Sequence, residues 1–367
     1  MREVFWCKSC LNMSTRPRIT FNESGWCNAC QWAEEKKTLD WSIRQNELRQ
    51  ILDSHRSSDG SFDCIVPVSG GKDGSYVSYQ LKHNYGMHPL TITVTPSLSL
   101  SLGNQNLKNF IASGYDHMQI SCAEDDQQKL NKKGFILKGF PYFGWLIAIE
   151  TVPLMVAAKS NIPLIFYGEE GEVEYGGSSA QKNIPFIDLK FIDDVYLEGG
   201  HDLVLNESNL KSEAMTLFKF PNVSRNELKI THWSYFENWN PYRNYLVAKE
   251  HCGLIEAQTT NSGTFTNFAQ NDQGLYSLHA YMMYLKFGFG RATQDAGIEI
   301  RRGAMTREQA INLVKLYDGI YPEDQIDSYL DYYKMTLAEF ESVIDRWVNP
   351  SLFMKQSGRW KPTFTIK

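Results

Sequence analysis

The sequence predicts an α/β protein built on a parallel, doubly wound sheet, with a four-cysteine module before it and a helical extension after it. Three observations carry that prediction. Short apolar runs alternate with helix-length segments between residues 62 and 167, the pattern of strands joined by crossover helices. The first run, residues 64–68, leads straight into Ser69-Gly70-Gly71-Lys72-Asp73-Gly74-Ser75, a glycine turn of the kind that brings free amides and a helix start up to an anion. Four of the seven cysteines fall in the first thirty residues as Cys7-x2-Cys10 and Cys27-x2-Cys30, the spacing of two metal-binding knuckles.

From the N-terminus, Cys7, Cys10, Cys27 and Cys30 supply a four-thiolate shell for one structural Zn2+. Between the pairs, residues 16–21 alternate like a short strand and residues 22–25 read as a turn, which suits a zinc ribbon over residues 1–32. Redox or disulfide pairs are the rival use of the same cysteines. Cys64, Cys122 and Cys252 read as small buried apolar residues. Residues 33–56 are charged and helix-forming, with Leu48, Ile51 and Leu52 on one stripe, so a connecting helix is expected within 33–60.

The sheet domain is expected over 61–305. Further strands fall at 90–95, 117–120 and 162–167, and helices near 104–113, 124–137 and 142–160. Ligands of such sheets bind past the carboxyl ends of the strands, which sets Ser69, Thr95 and Gly168 along one crevice. Ser69 and Ser75 offer hydroxyls, Lys72 a positive charge, and Asp73 a carboxylate suited to Mg2+ beside phosphate oxygens. A Walker A loop would instead need glycine at Val66 and Ser or Thr at Asp73. Past Gly168, the carboxylates of Glu169, Glu170, Glu172 and Glu174 crowd six residues. Such crowding at a crevice points to a cation, with Glu169 and Glu174 as the expected Mg2+ contacts; a solvated acidic loop is the plainer alternative.

Residues 275–287 have helical spacing, with His279 and Lys286 among them, and Gly288 and Gly290 stop the helix before Arg291. Arg291, Arg301 and Arg302 are planar donors that suit phosphates, whereas His279 reads first as an ordinary helix histidine and only second as a base. The stretch 186–271 is an insertion rich in aromatic residues and asparagine, either a sugar-binding wall or core. A helical extension over 306–367 opens one helix at Thr306 and another near 336–347. The chain has 367 residues, 42% hydrophobic, with a net charge of -5. That balance is ordinary for a globular protein and argues against broad contact with nucleic acid. No signal-peptide pattern opens it, and its best apolar run, 142–158, is short and holds Glu150 and Pro153. A cytoplasmic protein without a membrane partner is expected.

Residues 69–75 resemble the Ser-Gly-Gly-x-Asp-Ser signature of the PP-loop ATP pyrophosphatase superfamily, whose sheet is adenine nucleotide alpha hydrolase-like. They depart from it at Gly74, where the signature has Ser, and Ser75 is the expected substitute. Other blocks narrow the resemblance: the zinc ribbon, Gly168-Glu169, Glu174-Tyr175-Gly176-Gly177, the run from His279 through Lys286-Phe-Gly-Phe-Gly-Arg291, and Glu299-Ile-Arg301-Arg302-Gly303. Together they resemble the N-acetyl sugar amidotransferase family of bacterial surface-polysaccharide (LPS O-antigen) and flagellin glycosylation pathways.

That resemblance implies ATP and Mg2+ as cofactors beside structural Zn2+. Ser69, Gly70, Gly71, Lys72, Asp73, Gly74, Ser75, Thr95 and Gly168 would hold ATP and pyrophosphate, with Lys72, Asp73 and Arg291 assisting the chemistry. Tyr175, Gly176, Gly177, His279, Lys286, Arg301 and Arg302 would meet an N-acetylated sugar, nucleotide-linked or nonulosonic. The implied reaction adenylates the acetamido oxygen and replaces it with ammonia, giving an acetamidino sugar. Similar proteins draw ammonia from glutaminase- and cyclase-like partner subunits, and no glutaminase signature is visible in this chain. A tRNA-modifying PP-loop thiolase is the main alternative. The acidic balance and the lack of a second Cys-x2-Cys set stand against it. A noncatalytic nucleotide-binding scaffold is the other.

Overall fold

The computed structural model describes residues 4–223 and 227–366; residues 1–3 of the expected ribbon, 224–226 of the aromatic-rich stretch, and 367 lie outside them. The N-terminal module carries α1 (Asn28–Glu35). Its strand pairing, among the described residues, consists of the bridges Trp6 to Met13 and Phe21 to Cys27, so the strand expected at 16–21 is reduced to one contact. The expected connecting helix is broken. α1 ends before Lys36, and α2 (Trp41–His55) starts afresh because the Asp40 side chain accepts from the Ser42 amide and caps it.

Strands and helices then alternate as β1 (Cys64–Pro67), α3 (Lys72–Tyr79), β2 (Pro89–Val94), α4 (Ser101–Ala112), β3 (His117–Ile120), α5 (Glu124–Lys138), α6 (Phe143–Ser160) and β4 (Leu164–Tyr167). After α7 (Gly171–Tyr175), the aromatic-rich stretch contributes β5 (Phe186–Ile187), short helices α8 (Leu189–Phe191) and α9 (Asp202–Glu207), β6 (Lys229–His232) and α10 (Pro241–Cys252). The six strands lie in the order β3-β2-β1-β4-β6-β5. All pairs are parallel except the edge pair β5 and β6. The order reverses direction between β1 and β4, where Ile65 pairs with Ile165; the loops after these two strands therefore flank the topological switch point.

Both faces of the central strands are covered, which is why β1, β2 and β4 read as short, largely apolar runs. Ile65 and Ile92 pack with Phe143, Ile147 and Val152 of α6 on one face. Val66 and Phe166 pack with Tyr76, Phe110 and Trp233 on the other. Among the described residues α6 is the one helix long and apolar enough to cross a membrane, and most of it is buried inside the fold. Its length exceeds the expected run, so burial and not shortness accounts for its composition. Pro153 has no N–H to give the Ile149 carbonyl, which the Tyr167 hydroxyl approaches at 3.5 Å.

The C-terminal region holds α11 (Leu275–Phe287), α12 (Arg291–Arg301), α13 (Arg307–Tyr317), α14 (Ile326–Tyr333), α15 (Leu337–Trp347) and the hairpin β7 (Phe353–Gln356) to β8 (Arg359–Pro362). Thr306 and Thr336 open α13 and α15 with capping boxes closed by Gln309 and Glu339. This region is packed into the sheet domain: Tyr329, Tyr333 and Phe340 join the same core as α5 and α6, and the Tyr333 hydroxyl donates to the Pro141 carbonyl at 2.6 Å.

Candidate active site

The loop after β1 owes its shape to its glycines. Gly70 has φ +77°, and a Cβ there would stand 2.4 Å from the Leu107 backbone nitrogen. Gly71 precedes α3 without any side-chain cap, so the first amides of that helix stay open toward a crevice of about 310 Å³. Residues 67–74, Asn106, Tyr142, Asn271 and Tyr276 line it, together with Glu169, Tyr175 and Arg291.

The charged groups there are interlocked. Lys72 Nζ is paired with one Asp73 oxygen, and the other accepts from Nδ2 of the fully buried Asn244 at 3.2 Å. Gly168 admits Asp73 closely, since a Cβ at 168 would lie 3.1 Å from the Asp73 Cβ. The Tyr175 hydroxyl donates to Glu169 Oε1 at 3.0 Å. Arg291 lies 5.7 Å from the Tyr175 ring centroid. It is oriented by Asp295, at 2.9 Å from Nε and 2.8 Å from Nη2, and Asp295 in turn accepts from the Thr264 hydroxyl at 2.7 Å.

Burial raises the Glu169 pKa and the Asp73 carboxylate raises it further, with Lys72 opposing both. Burial would lower the Lys72 pKa, but the charges of Asp73 and Glu169 outweigh it and the net shift is upward. Arg291 follows the same logic through Asp295. Two fixed cations, the Asp73 and Glu169 carboxylates and open helix amides around one crevice, with Asp272 a third carboxyl in its lining, can hold a polyphosphate with a divalent ion bridging to it.

The acidic stretch divides its carboxylates, which corrects the expectation of a shared cation. Glu169 alone faces the Lys72–Asp73 pair. Glu170 caps α7 through the Val173 amide and accepts from the Tyr196 hydroxyl at 2.6 Å; Glu172 is held by Arg18 at 2.6 and 2.8 Å. Glu174, expected on Mg2+, is taken by Lys36 and by Trp32 Nε1. Gly176 and Gly177 lie under the ribbon, where a Cβ at 176 would meet Asn12 Nδ2 at 2.5 Å and one at 177 the Glu172 carboxylate at 2.2 Å.

Several other expected residues stand apart from the crevice. Ser75 is fully buried and its hydroxyl has no partner, so it does not replace the signature serine. Gly74 stands there because a Cβ would come 2.8 Å from the Pro67 carbonyl oxygen. Thr95 turns outward to Ser121 and Gln119. His279 is wedged between the rings of Phe140 and Tyr142, and burial, then Lys286 and Arg291, push its pKa down to about 3, too low for a base at neutral pH. Lys286 donates to the Lys138 carbonyl at 2.9 Å at the far end of α11. Arg301 Nη2 donates to the Glu174 carbonyl at 2.9 Å, and Arg302 pairs with Glu299. Both arginines line a second cleft of about 440 Å³, with Lys36, Trp239 and Arg243, that meets the first at Glu169 and Tyr175.

No sequence pattern singles out Asn244, Tyr142 or Tyr276, since each comes to the site from a helix or insertion distant in the chain, whereas Trp239 falls in the aromatic stretch expected as a sugar-binding wall. The acidic spacing alone did mark Glu169.

The four N-terminal cysteines are buried, with their Sγ atoms within 4.8 Å of one another. Cys7 and Cys30 are 3.8 Å apart and Cys10 and Cys27 3.7 Å. These match the edge of a tetrahedron about 3.8 Å long around a single thiolate-bound Zn2+; a four-iron cube would spread its thiolates over four separate irons. Amide donors complete the setting, with Cys27 N to Cys7 Sγ at 3.1 Å and Asn12 Nδ2 to Cys27 Sγ at 3.4 Å. The site therefore fits one tetrahedral metal ion.

Among solved structures the chain is similar to the U34-tRNA thiolase NcsA from Methanococcus maripaludis with its [4Fe-4S] cluster. The likeness covers 72% of this chain and 79% of that one at 11% identity, with a TM-score of 0.30. Comparison with curated proteins gives no match. Residues 262–367, which carry Tyr276, Arg291, Asp295, Arg301 and Arg302, match the family model of the LPS biosynthesis protein WbpG-like C-terminal domain.

Proposed function

We propose that the protein is an ATP-dependent amidotransferase that converts the acetamido group of an N-acetylated sugar into an acetamidino group for surface-polysaccharide or flagellin glycosylation. One observation carries the reading: Arg291, from the segment that matches the LPS biosynthesis family, enters the same crevice as the Ser69–Gly74 loop, so the sugar-pathway segment and the phosphate loop build one site. ATP lies with its phosphates on the loop amides and Lys72. The sugar lies in the adjoining cleft of Trp239, Arg243 and Arg302, with its acetamido group at the Glu169–Tyr175 junction.

An amide carbonyl is a poor electrophile because its nitrogen donates into it. Its oxygen attacks the α-phosphorus, the bond to the β-phosphate oxygen breaks, and pyrophosphate leaves. Ammonia then adds to the activated carbon, AMP departs with the former amide oxygen, and the amidine remains. Lys72 and Arg291 hold the developing pyrophosphate charge. Asp73 and Glu169 are the carboxylates that would hold Mg2+, which neutralises phosphate charge when bound. Tyr175 orients Glu169.

Ammonia comes from a separate glutaminase- and cyclase-like partner in this reading. The thiols that a glutaminase would need are poorly suited: burial pushes Cys122 to about 12 and Cys252 to about 11 and raises Cys64 further, which keeps them protonated and unreactive. The cysteine cluster binds structural Zn2+.

The test is pyrophosphate release from Mg-ATP and ammonium with a panel of N-acetylated sugars and with bulk tRNA. Sugar-dependent release is expected, with a product about one mass unit lighter as oxygen is exchanged for NH. Release that depends on tRNA and on no sugar overturns the reading.

A further inference from the structure

α6 carries an ionisable group that nothing in the described chain answers. Glu150 is 9% exposed, and among the described residues it makes no hydrogen bond or ion pair; burial alone sets its acidity. It lines an apolar pocket of about 230 Å³. Pro67, Val68, Ser69, Gly103, Asp272 and Tyr276 border both this pocket and the phosphate crevice, so the two are continuous. Ile92, Val94, Trp145 and Pro153 supply its greasy walls, and the indole of Trp145 is fixed by its N–H to the Val94 carbonyl at 3.1 Å.

A buried carboxyl without a partner costs free energy unless something supplies its hydrogen bonds. The pocket is too apolar to favour a hydrated ion and large enough for a flat heteroaromatic ring. Burial raises the Glu150 pKa to about 8, so near neutrality the group is a carboxylic acid with an acceptor oxygen beside a donor hydroxyl. That pair matches an amine donor next to a ring-nitrogen acceptor, the edge that an Asn or Gln amide reads on adenine.

We propose that this pocket seats the base of the nucleotide whose phosphates occupy the crevice, and that Glu150 selects an aminopurine by accepting from its exocyclic amine. The proposal rests on the crevice being a nucleoside triphosphate site, and it adds the residue that chooses the base.

The experiment measures equilibrium binding of Mg-ATP and of purine riboside 5′-triphosphate, which lacks only the 6-amino group, to the full chain and to Glu150→Gln and Glu150→Leu. Inorganic pyrophosphate, which has no base, reports whether each variant keeps its loop. The wild type should prefer ATP by about tenfold or more, the effect of leaving one buried acceptor unmade. Glu150→Gln, with the same acceptor and donor, should keep the preference; Glu150→Leu should lose it while still binding pyrophosphate. Equal binding of the two nucleotides by the wild type overturns the proposal, as does a preference that survives in Glu150→Leu. An unchanged preference with a raised KM for ammonium also overturns it, and moves Glu150 to the nucleophile. Those results leave the nucleotide site standing, whereas failure of the wild type to bind either ATP or pyrophosphate removes the site and the proposal together.

Discussion

Lys36 Nζ lies 2.8 and 3.0 Å from the two carboxylate oxygens of Glu174, and both side chains are nearly buried. The pair joins the end of α1 to α7, and so ties the cysteine module to the loop that carries Glu169 and Tyr175. Lys36→Met would leave a buried carboxylate with Trp32 as its remaining side-chain partner, at a cost of about 3 kcal/mol. Adding Glu174→Gln should recover most of that loss. Denaturant unfolding of the two single variants and the double variant measures it, and additive losses would show that the pair is not coupled.

Glu169 and Glu174 differ in what they face, so their amide variants should behave differently. Glu169→Gln and Asp73→Asn should each lower kcat for pyrophosphate release by about a hundredfold or more, the usual effect of removing a group that organises transition-state charge. Both should also raise the Mg2+ concentration needed for half-maximal rate. Glu174→Gln should leave the Mg2+ requirement where it is. A Mg2+ shift in Glu174→Gln would return that carboxylate to the metal.

The contrast between these two glutamates shows where the sequence was legible. Strands β1, β2 and β4 were readable because each is a short apolar run buried on both sides, and β3, half exposed at the sheet edge, because it falls between two helix-length segments. The turn at Gly70 and Gly71 was readable because its backbone demand is local. The partners of Glu172 and Glu174, Arg18 and Lys36, sit 154 and 138 residues away, and no spacing rule links them; four carboxylates with separate partners looked like one cluster. Ser75 was misread for a related reason. Its position in the motif was visible, but the approach of the Pro67 carbonyl to Gly74, which dictates the departure, depends on how tightly α3 packs against β1. β5 and β6 were missed because the sheet's last strands arrive inside an aromatic stretch with no strand periodicity.

Gly74→Ser would restore the superfamily signature but put a Cβ 2.8 Å from the Pro67 carbonyl and 3.0 Å from Val68 Cγ1. The expected result is a loss of about 1–3 kcal/mol of stability from overpacking, with no gain in pyrophosphate release. Thermal melting with a rate assay checks both, and a more active, equally stable variant would mean that the loop shifts to accept the hydroxyl.

Glu150 also fixes part of the pH dependence of folding. Its pKa is raised by burial from 4.5 to about 8, so between those values the folded chain holds a proton that the unfolded chain has released. Stability contributed by this group is then fullest below about pH 4.5 and falls as pH rises toward about 8. Glu150→Gln should flatten that portion of the profile and raise the melting temperature at pH 8 relative to the wild type. Parallel melting curves at pH 5, 6, 7 and 8 are the measurement, and identical slopes would place the ionised carboxylate in water.

Removing the metal should reach the crevice through Asn12. Its Nδ2 donates both to Cys27 Sγ at 3.4 Å and to the Tyr175 carbonyl at 2.9 Å, while Asn28 Nδ2 donates to the Gly177 carbonyl. Without a cation, four close thiols cannot all ionise and the knuckles lose what draws them together. α7 would then lose the Asn12 and Asn28 contacts and part of the docking of Arg18 and Lys36, and Tyr175 would no longer hold Glu169 against Asp73. The loop at 69–74 would be far less affected, because β1, α3 and α4 anchor it. Cys27→Ser should therefore lose bound zinc, measured by elemental analysis, and lower kcat by about tenfold or more, in the range seen when a group supporting a site is disturbed. Pyrophosphate affinity should change by less than about threefold, since its contacts are the loop amides. Full activity in a zinc-free variant would separate the ribbon from the site, whereas an equal loss of pyrophosphate binding would mean that the metal supports the whole sheet domain and not α7 alone.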